Sequence, residues 1–477
     1  MSIKKNMVSN FLLTSSKIIF PIITFPYITR TLSTESLGSV LFIDAFTQYF
    51  IIFSAIGIPL YGVREIAKLK KNPIERSILV KELLILKMAL SLMFSLVFLI
   101  LYSFIPSLQN NFDLIKIGCI SILSSSFLIE WFYQGMEHYT FITIRTLIVK
   151  ALSVLFILIL VKSSDDKVIY YVILVGVNSL NALINFWYYL KKFHIKVTRK
   201  LSLKKHIKPL LILFSINIAV SVYTVLDTII LGTLTNPEEV SLYNVSLKLS
   251  KVVVAVVLGF GFVLIPKIAR LYSEKNILEL KALISKSFNI ILLISLPYCF
   301  FSCFFSEEIL FLISGDKYII AKNSFIIASF LPFIIGVCNI LGTQFLLPIG
   351  KEKKILHATL LGLITSIILN FIFIPKMGFL GAAYSCLLAE IAVCTYIFLE
   401  AKKKINLMID GSIIIHIISS LIITSAFILL FTHQIKSIYL LFISFFFYCT
   451  TFISLQYFYF KNPFIFSIFK FRTIKHG

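Results

Sequence analysis

The sequence predicts an all-α polytopic membrane protein with about fourteen transmembrane helices, organised as two six-helix pseudo-repeat lobes around a central cavity plus two C-terminal helices. Three observations lead there. The 477 residues are 58% hydrophobic and only 14% charged, with a mean hydropathy of +0.96, a balance outside the range of soluble domains. Apolar runs of roughly 20 residues, the length that crosses a bilayer core, recur along the whole chain. Lysines stand well inside several of these runs, where a charge costs roughly 3 kcal/mol unless it faces a shared polar interior.

The runs fall at 7–29, 39–63, 83–104, 114–134, 143–161, 168–190, 209–232, 241–265, 286–305, 323–349, 355–375, 379–400, 411–431 and 438–460. The first follows Lys4 and Lys5 but has no small-residue cleavage site, so it reads as a span and not as a signal peptide. An even number of spans puts both ends on one side. Lys and Arg crowd the alternate loops on that side, above all 64–82 and 191–208, which places both termini in the cytoplasm. The net charge of +23 is thereby a topology signal facing anionic lipid, with no nucleic-acid surface implied. Segment 267–285 sets Ile268, Leu271, Ile277, Leu280 and Leu283 against Lys and Glu, and reads as a short amphipathic helix at the interface.

Loops on the outer side are short, the longest being about 306–322. A membrane glycosyltransferase or polymerase needs room there for acid–base chemistry, so the expectation is a non-enzyme that uses no cofactor. The 7 cysteines lie in apolar runs without a CxxC pair, and read as packing residues and not as metal ligands.

A shift of 202 residues aligns Arg30–Leu69 with Gly232–Leu271 without a gap, matching Thr31 to Thr233, Leu32 to Leu234, Ser39 to Ser241, Gly57 to Gly259 and Ile66 to Ile268. A weaker echo pairs Gly135 and Glu137 with Gly350 and Glu352. Six spans are an even number, so two such copies share one orientation and bracket a cavity between lobes. The expected organisation is a first lobe at 1–190, a basic cytoplasmic linker at 191–208, a second lobe at 209–405, and two further spans with a cytoplasmic tail at 406–477.

Polar residues inside the spans mark that cavity. Ser241, Asn244, Lys248 and Lys251 recur at spacings of three and four, on one helical face; Thr143, Thr146, Lys150 and Ser153 repeat the device. Lys17 sits near the middle of the first span, with Pro21 and Pro26 beyond it, where a broken backbone is tolerated beside a cavity. The depth of Lys17, Lys150, Lys248 and Lys251 points to an anionic cargo such as a phosphate or pyrophosphate, held by point charges. Arg30, Arg64, Lys87 and Arg145 lie near span ends, where snorkelling is an equal reading. Asp44, Asp227 and Glu390 are candidates to bind a coupling ion, and Glu130 to pair with a lysine.

Pro26-Tyr27-Ile28-Thr29-Arg30-Thr31-Leu32-Ser33, Gly62-Val63-Arg64-Glu65-Ile66-Ala67, Glu130-Trp131-Phe132-Tyr133-Gln134-Gly135-Met136-Glu137, Asp227-Thr228-Ile229-Ile230-Leu231-Gly232 with Tyr243-Asn244, and Gly378-Phe379-Leu380-Gly381-Ala382-Ala383 together resemble the polysaccharide-unit flippases of the O-antigen type. These belong to the multidrug/oligosaccharidyl-lipid/polysaccharide exporter superfamily. The resemblance covers most of residues 10–400 and implies alternating access around a cationic cavity. It implies that an undecaprenyl-pyrophosphate-linked oligosaccharide moves from the cytoplasmic to the outer leaflet of a bacterial cytoplasmic membrane, for O-antigen, capsule or exopolysaccharide. Lys17, Arg30, Asp44, Arg64 and Lys248 stand at motif positions where relatives line the cavity or its gates. The partners expected are the lipid-linked glycan, membrane lipids, H+ or Na+, and other polysaccharide-assembly proteins. The sequence has no GxxxxGK[ST] P-loop, so an ion or potential gradient is the expected energy source. The alternatives are a cation-coupled multidrug antiporter of the same superfamily and, more distantly, a membrane glycosyltransferase.

Overall fold

The computed structural model describes residues 3–196, 201–261, 264–405, 411–432 and 434–457, and every regular element among them is helical. In order these are α1 (Ile3–Thr31), α2 (Thr34–Ala55), α3 (Ile58–Lys68), α4 (Pro73–Phe104), α5 (Pro106–Gln109), α6 (Phe112–Ser124), α7 (Glu130–Gly135), α8 (Tyr139–Leu160), α9 (Lys167–Lys192) and α10 (Lys204–Leu234). There follow α11 (Pro237–Gly261), α12 (Ile265–Ser273), α13 (Ile277–Phe304), α14 (Ser306–Ser314), α15 (Lys322–Ala328), α16 (Leu331–Asn339), α17 (Glu352–Lys402), α18 (Gly411–Phe431) and α19 (Ser437–Leu455).

Local chemistry sets many of the boundaries. Ser33 caps α2 by accepting from the Ser36 N–H, and Asn72 caps α4 ahead of Pro73, whose missing N–H costs nothing at a first helical position. Asp166 precedes α9 and accepts from the Lys162 and Ser163 N–H groups at 2.8 and 2.7 Å. Those two bonds, Ser163 first, hold its carboxyl below the usual carboxylate range. α1 runs unbroken through Pro21 and Pro26, where the sequence suggested a broken backbone. The hydroxyls of Thr24, Thr29 and Thr31 instead bond back to Phe20, Phe25 and Tyr27 carbonyls within the same helix.

Among the described residues, eleven helices are long and apolar enough to cross a membrane, against about fourteen expected. One of them, α17, has 51 residues, which at 1.5 Å per residue is about 75 Å, far more than one crossing needs. It breaks at Gly378, with φ 54° and ψ −132°, between the expected spans 355–375 and 379–400. α1 and α10 are helical through the expected first and seventh spans, but many of their side chains lie outside the described residues.

By backbone contacts the chain divides into two compact units, Met1–Asn244 with Ser366–Ala382, and Val245–Thr365 with Ala383–Gly477. In the first, α1 packs along α8, and α2 packs against α4, α6 and α10. Its inner core is aromatic: Tyr61, Trp131, Phe132, Tyr133 and Tyr189 pack with Ile58, Leu79 and Leu83. In the second unit, Ile268, Leu280, Ile284 and Phe288 of α12 and α13 pack with Ile340, Leu341 and Phe345. The last helix pair, α18 and α19, adds Ile413, Ile417, Leu440 and Tyr448 to Leu292, Phe301 and Phe305.

The repeat read from the sequence has a structural counterpart. The expected second span bends at Ile56 (φ 37°) and Gly57 (φ 80°), so a long α2 is followed by a short amphipathic α3. One copy later, α11 is followed by the short amphipathic α12. The expected helix at 267–285 is thus two elements, since Asn276 caps a new helix through the Glu279 N–H. The loop at 306–322, expected to be the longest on the outer side, is largely helical too, formed by α14 and a 3-10 turn at Asp316–Ala321.

At the α17 break the Phe379 N–H donates to Glu239 Oε2 at 2.6 Å. A Cβ on Gly378 would collide with that carboxylate in a backbone conformation that L side chains resist. Gly378→Ala is therefore expected to cost about 2 kcal/mol and to lower the thermal unfolding midpoint of the purified protein. Gly176→Ala, where an added Cβ meets nothing, should leave the midpoint unchanged or raise it.

Candidate functional site

A buried polar cluster of the first unit is built on Asp227 of α10, which is 6% exposed. Its Oδ1 accepts from Ser366 Oγ at 2.8 Å and from Asn370 Nδ2 at 2.6 Å. Tyr243 of α11 donates its hydroxyl to Oδ2 at 3.0 Å. Beside it, Asn244 Nδ2 bonds the Val240 carbonyl at 2.9 Å and Thr228 Oγ1 at 3.2 Å. Every donor to the carboxylate is neutral, and no Lys or Arg pairs with it among the described residues. Asn370 is fully buried, yet its Oδ1 has no partner. Flipping the amide would aim that oxygen at the carboxylate, so the orphan acceptor is a feature of the site. A buried carboxylate ringed by two hydroxyls and an amide that can turn its oxygen inward has the chemistry to take up a proton or a hard cation.

A second buried charge group lies at α4, α7 and α8. Arg145 Nη2 meets Glu130 Oε1 at 2.5 Å, with the Arg145 side chain 3% exposed. Its Nε and Nη1 are buried without partners. Lys87 is also buried and donates to the Ser125 carbonyl at 2.5 Å. For Lys87 and Arg145 burial replaces the snorkelling that span-end positions allowed.

The other expected residues are dispersed. Lys17 is on α1, but its side chain lies outside the described residues. Lys150 of α8 is half-buried; its Nζ lies 3.5 Å from Ser16 Oγ and 5.7 Å from the centre of the Phe20 ring. Arg30 ends α1 and is exposed. Arg64 of α3 is exposed, bonded to Glu65 Oε1 at 2.8 Å and placed over the Tyr61 ring. Asp44 of α2 is half-buried. In the second unit Lys248 and Glu390 are half-buried on α11 and α17, and Lys251 is exposed.

Three contributors escaped the sequence reading. Ser366 and Asn370 form a polar pair four residues apart in an otherwise apolar run, a pattern that signals one wet helical face. The basic segment 191–208 was read as a solvated topology signal, and its residues Arg199 and Lys200 lie outside the described residues. Its end is mostly exposed, but one buried residue, His206, ties it to the helices: Glu82 of α4, 0% exposed, accepts from the Ser202 N–H at 2.7 Å, from Lys205 Nζ and from His206 Nε2 at 2.8 Å. His206 Nδ1 in turn meets the Tyr61 hydroxyl at 2.8 Å.

An all-helical chain with eleven helices long and apolar enough to cross a membrane among its described residues is a polytopic membrane protein. The chain belongs to the family described as polysaccharide biosynthesis protein, whose model matches residues 3–272. A MatE model matches residues 213–372. The protein named "Putative O-antigen transporter" in Shigella dysenteriae is 25% identical over 418 residues, 84% of this chain and 100% of that protein. Among solved structures, the lipid II flippase MurJ in an inward closed conformation matches with a TM-score of 0.64 at 16% identity, covering 93% of this chain and 99% of MurJ. An inward-facing multidrug resistance MATE family transporter matches at 0.61 and 14% identity, covering 81% and 94%. Family and fold together define a polytopic membrane protein of the polysaccharide biosynthesis family, with a fold that MurJ and MATE transporters share.

Removing Glu130 would leave Arg145 charged, buried and unpaired. Glu130→Ala is expected to cost about 3 kcal/mol, read as a lower unfolding midpoint. Replacing both partners, as Glu130→Leu with Arg145→Met, should recover part of that loss.

Proposed function

We propose that this protein carries a lipid-pyrophosphate-linked oligosaccharide repeat unit, with undecaprenol as the lipid, from the cytoplasmic to the outer leaflet for surface polysaccharide assembly. The observation that carries the reading is the alignment with an O-antigen transporter along that protein's whole length. Cations well inside the chain fit it: Lys150 is half-buried on α8, one turn and a half from the buried Arg145. Lys17, Lys150, Lys248 and Lys251 hold the pyrophosphate, with Asn244 as a hydrogen-bond donor and Arg30 and Arg64 at the gates. The polyprenyl tail stays in the lipid and no covalent bond changes. Both termini face the cytoplasm, and other polysaccharide-assembly proteins receive the unit outside.

Asp227 is the coupling site in this reading, ahead of Asp44 and Glu390, because its donors are neutral and Asn370 Oδ1 lacks one. A proton or Na+ bound there changes the local charge by one unit in a low dielectric and redirects three hydrogen bonds. The MatE match over 213–372 favours a second reading, a cation-coupled drug antiporter. That activity calls for carboxylates to hold cationic drugs, and lysines outnumber acids in the spans.

In cells with this chain as their sole flippase, Lys17→Ala, Lys150→Ala and Lys251→Ala are each expected to cut outer-leaflet exposure of the lipid-linked glycan at least several-fold. Normal export in the triple variant defeats the cationic cleft. In vesicles holding the purified protein, Asp227→Asn should abolish the dependence of transport on an imposed H+ or Na+ gradient. Resistance to cationic drugs, unaltered by the lysine variants, would establish the antiporter reading instead.

A further inference from the structure

We propose that the second unit carries a glycan-binding pocket of its own on the outer surface, specific for uncharged sugar residues of the exported unit. The proposal rests on the flippase reading and on the topology that places 306–322 and the α18–α19 turn outside. A cavity of about 490 Å³ opens there between the start of α14, the turn after it and the start of α19. That volume lies within the range of small-molecule sites, about 300–1,000 Å³. Its walls are Glu307, Glu308 and Phe311 on one side and Lys436, Ser437 and Tyr439 on the other.

The charges in the pocket select the ligand. Glu307 is already paired with Lys322 at 2.6 Å. That leaves Glu308, half-buried and with no partner among the described residues, opposite the exposed Lys436. One negative and one positive group sum to zero, so the pocket favours neither a phosphate nor a cationic peptide. A carboxylate takes a pair of neighbouring hydroxyls, and an ammonium and the Ser437 hydroxyl supply donors to ring and hydroxyl oxygens. Tyr439 is 62% exposed and Phe311 37%. Their ring faces suit the C–H face of a pyranose, which is apolar on one side and polar at its rim. A bilayer-interface anchor would explain an exposed Tyr at a helix end, but not an unpaired, half-buried carboxylate facing it across a cavity.

The pocket would hold the sugar end of the cargo outside while the pyrophosphate leaves the cleft, and so bias release towards the outer leaflet. The test uses the full-length protein in lipid nanodiscs and the lipid-free repeat unit released by mild acid from the lipid-linked pool of the producing cell. Saturation-transfer NMR should detect binding, and a photoreactive derivative should label residues 307–311 and 436–439. Glu308→Gln, which loses a hydrogen bond to a charged group, and Tyr439→Ala, which loses the stacking face, are each expected to weaken binding about tenfold. Tyr439→Phe should retain it, because the ring face remains. Absence of binding to the wild type, labelling elsewhere, or undiminished wild-type affinity in Glu308→Gln and Tyr439→Ala overturns the pocket. Glycan translocation that persists in vesicles under those outcomes leaves the flippase reading standing; its absence removes that reading separately.

Discussion

A charge enclosed among apolar helices costs several kcal/mol unless other groups surround it, and in this chain that requirement dictates which distant segments meet. Glu82 draws Ser202, Lys205 and His206 onto α4, more than a hundred residues along the chain. Asp227 draws Ser366 and Asn370 from α17 and Tyr243 from α11. Glu130 fixes the α7–α8 corner through Arg145. Dispersion and apolar burial fill the space between helices, but an apolar face slides over lipid or protein at similar cost. Hydrogen bonds to a buried carboxylate do not allow that, so they set the register.

The three carboxylates differ in how freely they can change. Glu130 faces a guanidinium that stays ionised under any physiological condition, so the pair is permanent. Glu82 has a lysine and a histidine, and its network extends to the Tyr61 hydroxyl on α3. Asp227 has three neutral donors, and these lose strength together once the carboxylate is protonated or its charge is met by a metal ion. Only such a group can report an ion gradient to the helices around it, since a site locked by a fixed countercharge has one state. The same logic separates Arg64, exposed and tied to Glu65, from Lys150, which is half-buried beside a serine and an aromatic ring.

Much of the fold was legible because a bilayer leaves few options: backbone groups must be satisfied within each segment, so apolar length converts almost directly into helix. The class, the family and the positions of most helices followed from that and from a few motifs. Side-chain partners were less legible, for a physical reason. Nothing local to Asp227 announces Ser366 or Asn370, and Glu82 in a basic loop's shadow looks like any charge near a span end. Depth was left open at Arg145 and Lys87, since distance from a helix end does not reveal whether a neighbour covers the side chain. The prolines of α1 misled in the opposite sense, because losing the N–H at Pro21 and Pro26 leaves the helix continuous.

The bend after α2 shows what a duplication retains. At an offset of 202 residues, Lys68 of α3 falls on Arg270 of α12, and each ends a short amphipathic helix that follows a long apolar one. In the first copy the corner needs Gly57, because φ there is +80° and a Cβ would approach the Leu210 carbonyl at 2.9 Å. In the second, Gly259 is still inside α11 with open space around it, and the bend comes later. The glycine at that position is therefore not what the two copies share structurally. They share a long apolar helix followed by a short amphipathic one with a basic last turn, where Lys68 bonds Glu65 and Arg270 lies beside Glu274. An apolar stripe against a charged face needs only that periodicity and not identical residues, which explains how the same corner arises twice from sequences that agree at few positions.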